Sequence, residues 1–270
     1  MIIEYHRPDT LEEALSLLAR PQPLTVPLGG GSALNRPDSQ PLAVVDLQAL
    51  GLGGYRLTGQ TLELGATLTL DGLLAAAGQK PGQAPPELLT LQPALIQSLR
   101  LEASYNLRQV ATVAGTLAAA DARSPWTAAL LALDAQLSLY RPGAAQLEQL
   151  SLGDFLPLRR GELRRALITH IALPLNVRLA YEYIARTPAD WPLVCAGVAA
   201  WPSGRTRVTL GGFGEAPLLA MDGPTAHGAE LAAADAYSQA GDAWATAEYR
   251  REMAALLTGR ALQRLDEPST

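Results

Sequence analysis

At 270 residues, with 48% hydrophobic and 17% charged side chains, the chain is long and apolar enough to build two or three compact units, and its composition excludes a disordered protein. A formal net charge of −5 without any block of Lys or Arg excludes a general affinity for nucleic-acid phosphates. A single cysteine, Cys195, and three scattered histidines, His6, His170 and His227, provide neither an internal disulfide nor the ligand set of an iron–sulfur cluster or zinc site.

From the N-terminus, Thr10 and Glu13 form a capping box ahead of a helix whose Leu11, Ala14, Leu15 and Leu18 share one face until Pro21 stops it. The opening Met1-Ile2-Ile3-Glu4-Tyr5-His6 lacks the pattern of a signal peptide, and the cytoplasm is the expected compartment. Residues 24–27 read as a short strand and 43–46 as another, giving a small β-α-β-β lobe. Tyr55–Thr58 and Thr61–Gly65 flank Gly59-Gln60 as a hairpin that opens a second lobe. Thr69 or Asp71 caps the next helix, and a further helix is predicted over 87–99. The polar, small-residue stretch 106–124 lacks apolar periodicity and is expected to be a functional loop. A helix over 126–133, a strand over 135–140 and a strand over 168–173 ended by Pro174 complete this part.

Beyond it the pattern changes to longer alternating runs, Arg178–Ile184, 193–201 and 205–211, closed by an amphipathic helix over 246–265. The last third is therefore expected to be a meander of three strands plus a helix, and the domain boundary falls near Leu175. No apolar run reaches the roughly 20 residues that cross a bilayer.

Two segments can carry chemistry. Gly29-Gly30-Gly31-Ser32-Ala33-Leu34 follows a predicted strand; successive glycines can turn backbone N–H groups inward around an anion and let a diphosphate approach closely, although the same residues also make an ordinary turn. Thr112-Val113-Ala114-Gly115-Thr116-Leu117-Ala118 can pass beneath a flat cofactor and donate from backbone and hydroxyls, or can simply be a tightly packed turn. Neither holds a nucleophile beside a base, Cys195 lies in an apolar strand where a structural role is expected, and Tyr181, Tyr183 and Trp191 are either core aromatics or stacking platforms.

In order, these segments resemble the FAD-binding (medium) subunit of the molybdenum hydroxylases, the xanthine dehydrogenase and carbon monoxide dehydrogenase type. The likeness runs from about Ile3 to Leu265 and rests on Tyr5-His6-Arg7-Pro8, the Gly29 to Leu34 loop, Leu64-Gly65-Ala66-Thr67, the Thr112 to Ala118 segment, Ile171-Ala172-Leu173-Pro174 and Leu210-Gly211-Gly212-Phe213. It implies an α+β fold: a two-lobed FAD-binding domain of the PCMH type over 1–175, with lobes of about 1–53 and 54–175, and a smaller C-terminal domain of antiparallel sheet packed with helices over 176–270. By the same resemblance Gly29, Gly30, Gly31, Ser32, Ala33, Leu34, Thr67, Thr112, Ala114, Gly115, Thr116 and Leu117 would cradle FAD, with Tyr181 and Asp190 nearer its isoalloxazine. The implied partners are a molybdenum-cofactor large subunit, a [2Fe-2S] small subunit and an external acceptor such as NAD, oxygen or quinone. The chain alone would not turn over substrate, and no catalytic residue or metal ligand is expected in it. Relative to the family pattern, Ala114 stands where a glycine is usual, Thr116 where an asparagine is, Pro125 where an aspartate is and Tyr183 where a lysine is. Ala114 fits if its φ is negative. The alternative is a same-fold scaffold subunit that has lost FAD and serves assembly.

Overall fold

The computed structural model describes residues 1–34, 41–78, 93–144, 146–188 and 190–267. In chain order it runs β1 (Ile2–His6), α1 (Leu11–Ala19), β2 (Thr25–Leu28), β3 (Leu42–Asp46), β4 (Tyr55–Thr58), β5 (Thr61–Gly65) and α2 (Leu70–Ala77). Four helices follow, α3 (Pro93–Glu102), α4 (Tyr105–Arg108), α5 (Val113–Ala119) and α6 (Pro125–Ala132), then β6 (Gln136–Tyr140), β7 (Glu148–Ser151), α7 (Leu152–Leu158) and β8 (Leu167–Pro174). The chain ends with β9 (Arg178–Ile184), β10 (Val194–Ala200), β11 (Thr206–Gly211), β12 (Leu218–Gly223), α8 (Ala229–Ala236) and α9 (Ala247–Asp266). Residues 87–92 of the helix predicted over 87–99 lie outside the described residues.

By packing, the described residues within 1–79, 105–119 and 136–173 form one compact unit, and those within 80–104, 120–135 and 174–270 a second. In the first unit, β1 and β2 both pair in parallel with β3, and α1 makes the crossover between β1 and β2. Thr10 caps α1 by accepting from the Glu13 N–H, and the fully buried Ala14 and Leu18 pack with Val45 and Leu47, the face that the spacing predicts. A second sheet has the order β4-β5-β8-β6-β7; its β4–β5 hairpin turns at Gly59, whose φ of +61° explains the glycine there.

The second unit carries an antiparallel sheet, β12-β11-β10-β9, against which α8 and α9 bury one core that includes Val198, Leu210, Tyr237 and Leu257. The sheet has four strands rather than the expected three. Leu218–Gly223 escapes prediction because it is a half-exposed edge strand without clean alternation, and Ala229–Ala236 because it is nearly all alanine and acid. Residues 125–132 pack in this unit. All eight residues of α6 are buried, a helix apolar on every side has to be surrounded, and Thr209 donates its hydroxyl to the Ala128 carbonyl at 3.0 Å. Pro125 sits at the first helical position of α6, where its missing N–H costs nothing.

Candidate functional site

Strand β2 delivers the chain into the glycine loop of the first unit. Gly31 takes φ +75°, the Leu34 N–H donates to the Gly31 carbonyl at 3.2 Å, and the Gln48 side-chain amide donates to the Gly29 carbonyl at 2.9 Å. A Cβ on Gly30 would lie 1.5 Å from the Val110 carbonyl oxygen, and one on Gly29 2.5 Å from Thr112 Oγ1. The glycines are there because the loop lies directly on residues 110–112. That contact leaves the loop's donors unspent: the backbone N–H groups of Gly30, Gly31, Ser32 and Ala33 make no hydrogen bond to another described residue.

The stretch expected to be a loop over 106–124 is instead mostly helical, and its chemistry differs accordingly. Thr112 starts α5 as a side-chain cap, accepting from the Gly115 N–H at 3.1 Å. The Val113 N–H donates to Leu68 O at 2.8 Å, the Ala114 N–H to Ala66 O at 3.4 Å, and the Thr116 N–H and hydroxyl both to Thr112 O at 2.9 Å. The backbone donors of Val113 to Thr116 and the Thr116 hydroxyl are thus consumed by the fold, and only the Thr112 hydroxyl keeps its hydrogen. Ala114 is helical, and among the described residues the only non-glycine with positive φ is Asp134, so the methyl of Ala114 imposes no strain.

Between the loop and α5 opens a cavity of about 640 Å³, within the range of small-molecule sites. Gly29, Gly30, Gly31, Ser32, Ala33 and Leu34 form one wall; Thr112, Ala114, Gly115, Ala118 and Ala119 form another. Val26, Leu42, Leu47 and Phe155 give it an apolar floor, and Arg159, Arg160 and Arg164, from the turn after α7, bring three cations. No carboxylate is among the described residues that line it.

Nine of the sequence-predicted site residues therefore converge, and the others do not. Thr67 is buried with its N–H donating to Leu52 O, Leu117 is fully buried, and Thr116 turns its hydroxyl back to Thr112; none lines the cavity. Tyr181 belongs to the second unit, where its ring is 1% exposed, packs with Ala128 and Cys195, and stacks on Tyr183 at 6.1 Å between centroids. Its role there is core packing, and its ring has no free face for a flavin. Asp190 is exposed in the β9–β10 connection, its N–H donating to Thr187 O at 3.1 Å. Burial pushes the Cys195 thiol up to about 12, as suits a structural, unreactive cysteine. Sequence reasoning missed the arginines. Their signal was the pair of doublets Arg159-Arg160 and Arg164-Arg165, a local basic concentration in an acidic chain.

The family described as "FAD binding domain in molybdopterin dehydrogenase" matches residues 1–176. The chain belongs to this family. It is 27% identical over 285 residues to the carbon monoxide dehydrogenase medium chain of Afipia carboxidovorans, spanning 97% of this chain and 96% of that one. It is also 31% identical over 229 residues to the uncharacterized protein YgfM of Escherichia coli, spanning 82% of this chain and 79% of that one. Among solved structures, carbon monoxide dehydrogenase from Hydrogenophaga pseudoflava, in a form that lacks the Mo-pyranopterin moiety, superposes with a TM-score of 0.79 at 24% identity, covering 97% and 96% of the two chains. That likeness establishes the α+β fold. The chain is an FAD-binding, medium-subunit member of an oxidoreductase family, and FAD is the cofactor of that family. No helix among the described residues is long and apolar enough to cross a membrane.

Proposed function

We propose that this chain is the FAD-carrying subunit of a molybdenum hydroxylase and holds the FAD diphosphate on the N–H groups of Gly30 to Ala33. The observation that carries this reading is that Gly30, Gly31, Ser32 and Ala33, whose backbone N–H groups make no hydrogen bond to another described residue, line a cavity with no carboxylate among its described lining residues, inside the segment that the family match covers. The residues present fit a dinucleotide: glycines permit close approach, Thr112 keeps its hydroxyl hydrogen for donation, and the half-buried Pro27 and Leu34 offer apolar surface to a ring.

When bound, FAD supplies the redox chemistry that joins [2Fe-2S] clusters of a small partner subunit to an external acceptor such as NAD, oxygen or quinone, while substrate is oxidised at a molybdenum cofactor in a large subunit. This chain's residues bind, orient and screen. Its lone cysteine cannot assemble a four-thiolate cluster, so the clusters belong to a partner, and a complex working in the cytoplasm keeps that thiol reduced. The division of the chain near residue 175 into an FAD domain and a C-terminal domain is part of this reading.

Full-length protein reconstituted with FAD and desalted is expected to retain one flavin per chain, seen as visible flavin absorbance, and to reduce no acceptor until the two partner subunits are added. Loss of all flavin on desalting would reject the proposal. It would favour an assembly-only subunit, a reading to which the internally spent donors of Val113 to Thr116 lend support.

A further inference from the structure

Three glycines in a row let the loop approach an anion, but the same freedom lets the peptide planes between them turn over, and a reversed plane presents a carbonyl instead of an N–H. We propose that Gln48 is a positioning residue that decides this orientation: by holding the Gly29 carbonyl, its side-chain amide turns the Gly30 N–H toward the diphosphate. The inference rests on the FAD reading above and assigns a residue that shapes the same loop from outside the cavity.

The geometry begins with the strand register. β2 and β3 run parallel and end level, Leu28 opposite Asp46, and the Leu47 N–H donates to Leu28 O at 3.0 Å. Gly29 and Gln48 therefore leave the sheet close to one another. The buried Asp46 carboxylate accepts the Gln48 N–H on Oδ1 at 3.0 Å and the Tyr5 hydroxyl on Oδ2, which fixes the backbone from which the Gln48 side chain extends. From there Nε2 donates to the Gly29 carbonyl at 2.9 Å.

That bond orients more than the carbonyl. The peptide joining Gly29 and Gly30 is trans, and the C=O and N–H of a trans peptide plane point in opposite directions. Gln48 is not part of the cavity lining, whereas Gly30 is, so drawing the Gly29 oxygen toward Gln48 directs the Gly30 N–H to the other side. This N–H makes no hydrogen bond to another described residue. The contacts of the two α-carbons with Thr112 and Val110 restrict the path of the chain without choosing between the two faces of the plane. A reversed plane would aim a carbonyl oxygen at the phosphates and replace an attraction by a repulsion. With the plane held before the ligand arrives, binding does not have to order it.

The test is calorimetric titration of the full chain with FAD, ADP and riboflavin at high salt, comparing the parent with Gln48→Met and Gln48→Lys. The first keeps the length of the side chain and loses the donor; the second restores a donor while salt screens its added charge. Gln48 is exposed, so both variants should keep the fold and the Tm of the parent. Gln48→Met is expected to weaken FAD and ADP about fivefold, the loss expected for one neutral hydrogen bond, and Gln48→Lys to recover most of it. Riboflavin, without phosphate, should bind all three proteins alike. FAD and ADP affinities in Gln48→Met equal to those of the parent would overturn the proposal and leave the flavin reading standing. So would an equal loss for riboflavin, or a lysine variant that binds ADP no better than the methionine one. If the parent binds ADP with this dependence on Gln48 but does not bind FAD, the flavin reading fails and the positioning role stands. Binding of neither by the parent rejects both.

Discussion

Glu102 of α3 lies inside the second unit, 7% exposed as a residue; its Oε2 accepts the Ser124 hydroxyl at 2.8 Å and the Trp126 N–H at 2.9 Å. Burial pushes this carboxyl up to about 8 from 4.5, against the downward pull of those two hydrogen bonds, and the Asp121 charge adds to the rise. The folded state therefore keeps a proton that the unfolded chain gives up. The stability associated with it is full below pH 4.5, falls as pH rises, and levels off above about 8. At about 1.4 kcal/mol per pH unit, the window from 4.5 to about 8 costs the fold on the order of 5 kcal/mol. Glu102→Gln keeps an acceptor for both donors and has no proton to lose. Urea denaturation of both proteins at a series of pH values should show the parent losing stability across that window relative to the variant, with the variant the more stable at pH 8. Parallel pH profiles would refute the reasoning, because every other titrating group is common to the two proteins.

Gly30→Ala places its Cβ 1.5 Å from the Val110 carbonyl, half the 3.0 Å below which such contacts are not found, so the glycine loop and the turn at Val110 must part by at least that difference. Flavin retained after desalting should fall sharply and the Tm with it. Gly51→Ala, at φ +70° with nothing within 4 Å, is the control: it should cost about 1 kcal/mol and leave flavin content intact. Arg250, fully buried, grips both Asp242 oxygens at 2.9 Å and donates to the Ala240 carbonyl at 2.7 Å. Arg250→Lys keeps the charge but loses the fork, and thermal denaturation should show a loss of about 2 kcal/mol.

The local elements were legible where a short-range rule governs them. Thr10 caps α1, Gly59-Gln60 turns a hairpin, and Thr246 caps α9 by accepting from the Tyr249 N–H, because each depends on residues within four positions of one another. The stretch over 106–124 was illegible for the opposite reason. Residues 113–119 form a helix although only Val113 and Leu117 are large and apolar, because Leu68 and Ala66 supply acceptors from a distant part of the chain.

The site divides in the same way. The run Gly29-Gly30-Gly31-Ser32 marks by itself a backbone able to approach an anion, since only glycine at Gly30 survives contact with Val110 O. The small residues of 112–118 likewise predict close packing. Which donors remain free is a different kind of fact. A backbone N–H is available to a ligand only if no internal acceptor has claimed it, and those acceptors are set by which segments fold against each other. Tertiary structure alone decided that Gly30 to Ala33 keep their donors while Val113 to Thr116 spend theirs, that Tyr181 is core, and that Arg159, Arg160 and Arg164, more than 120 positions from the glycine loop, share its cavity.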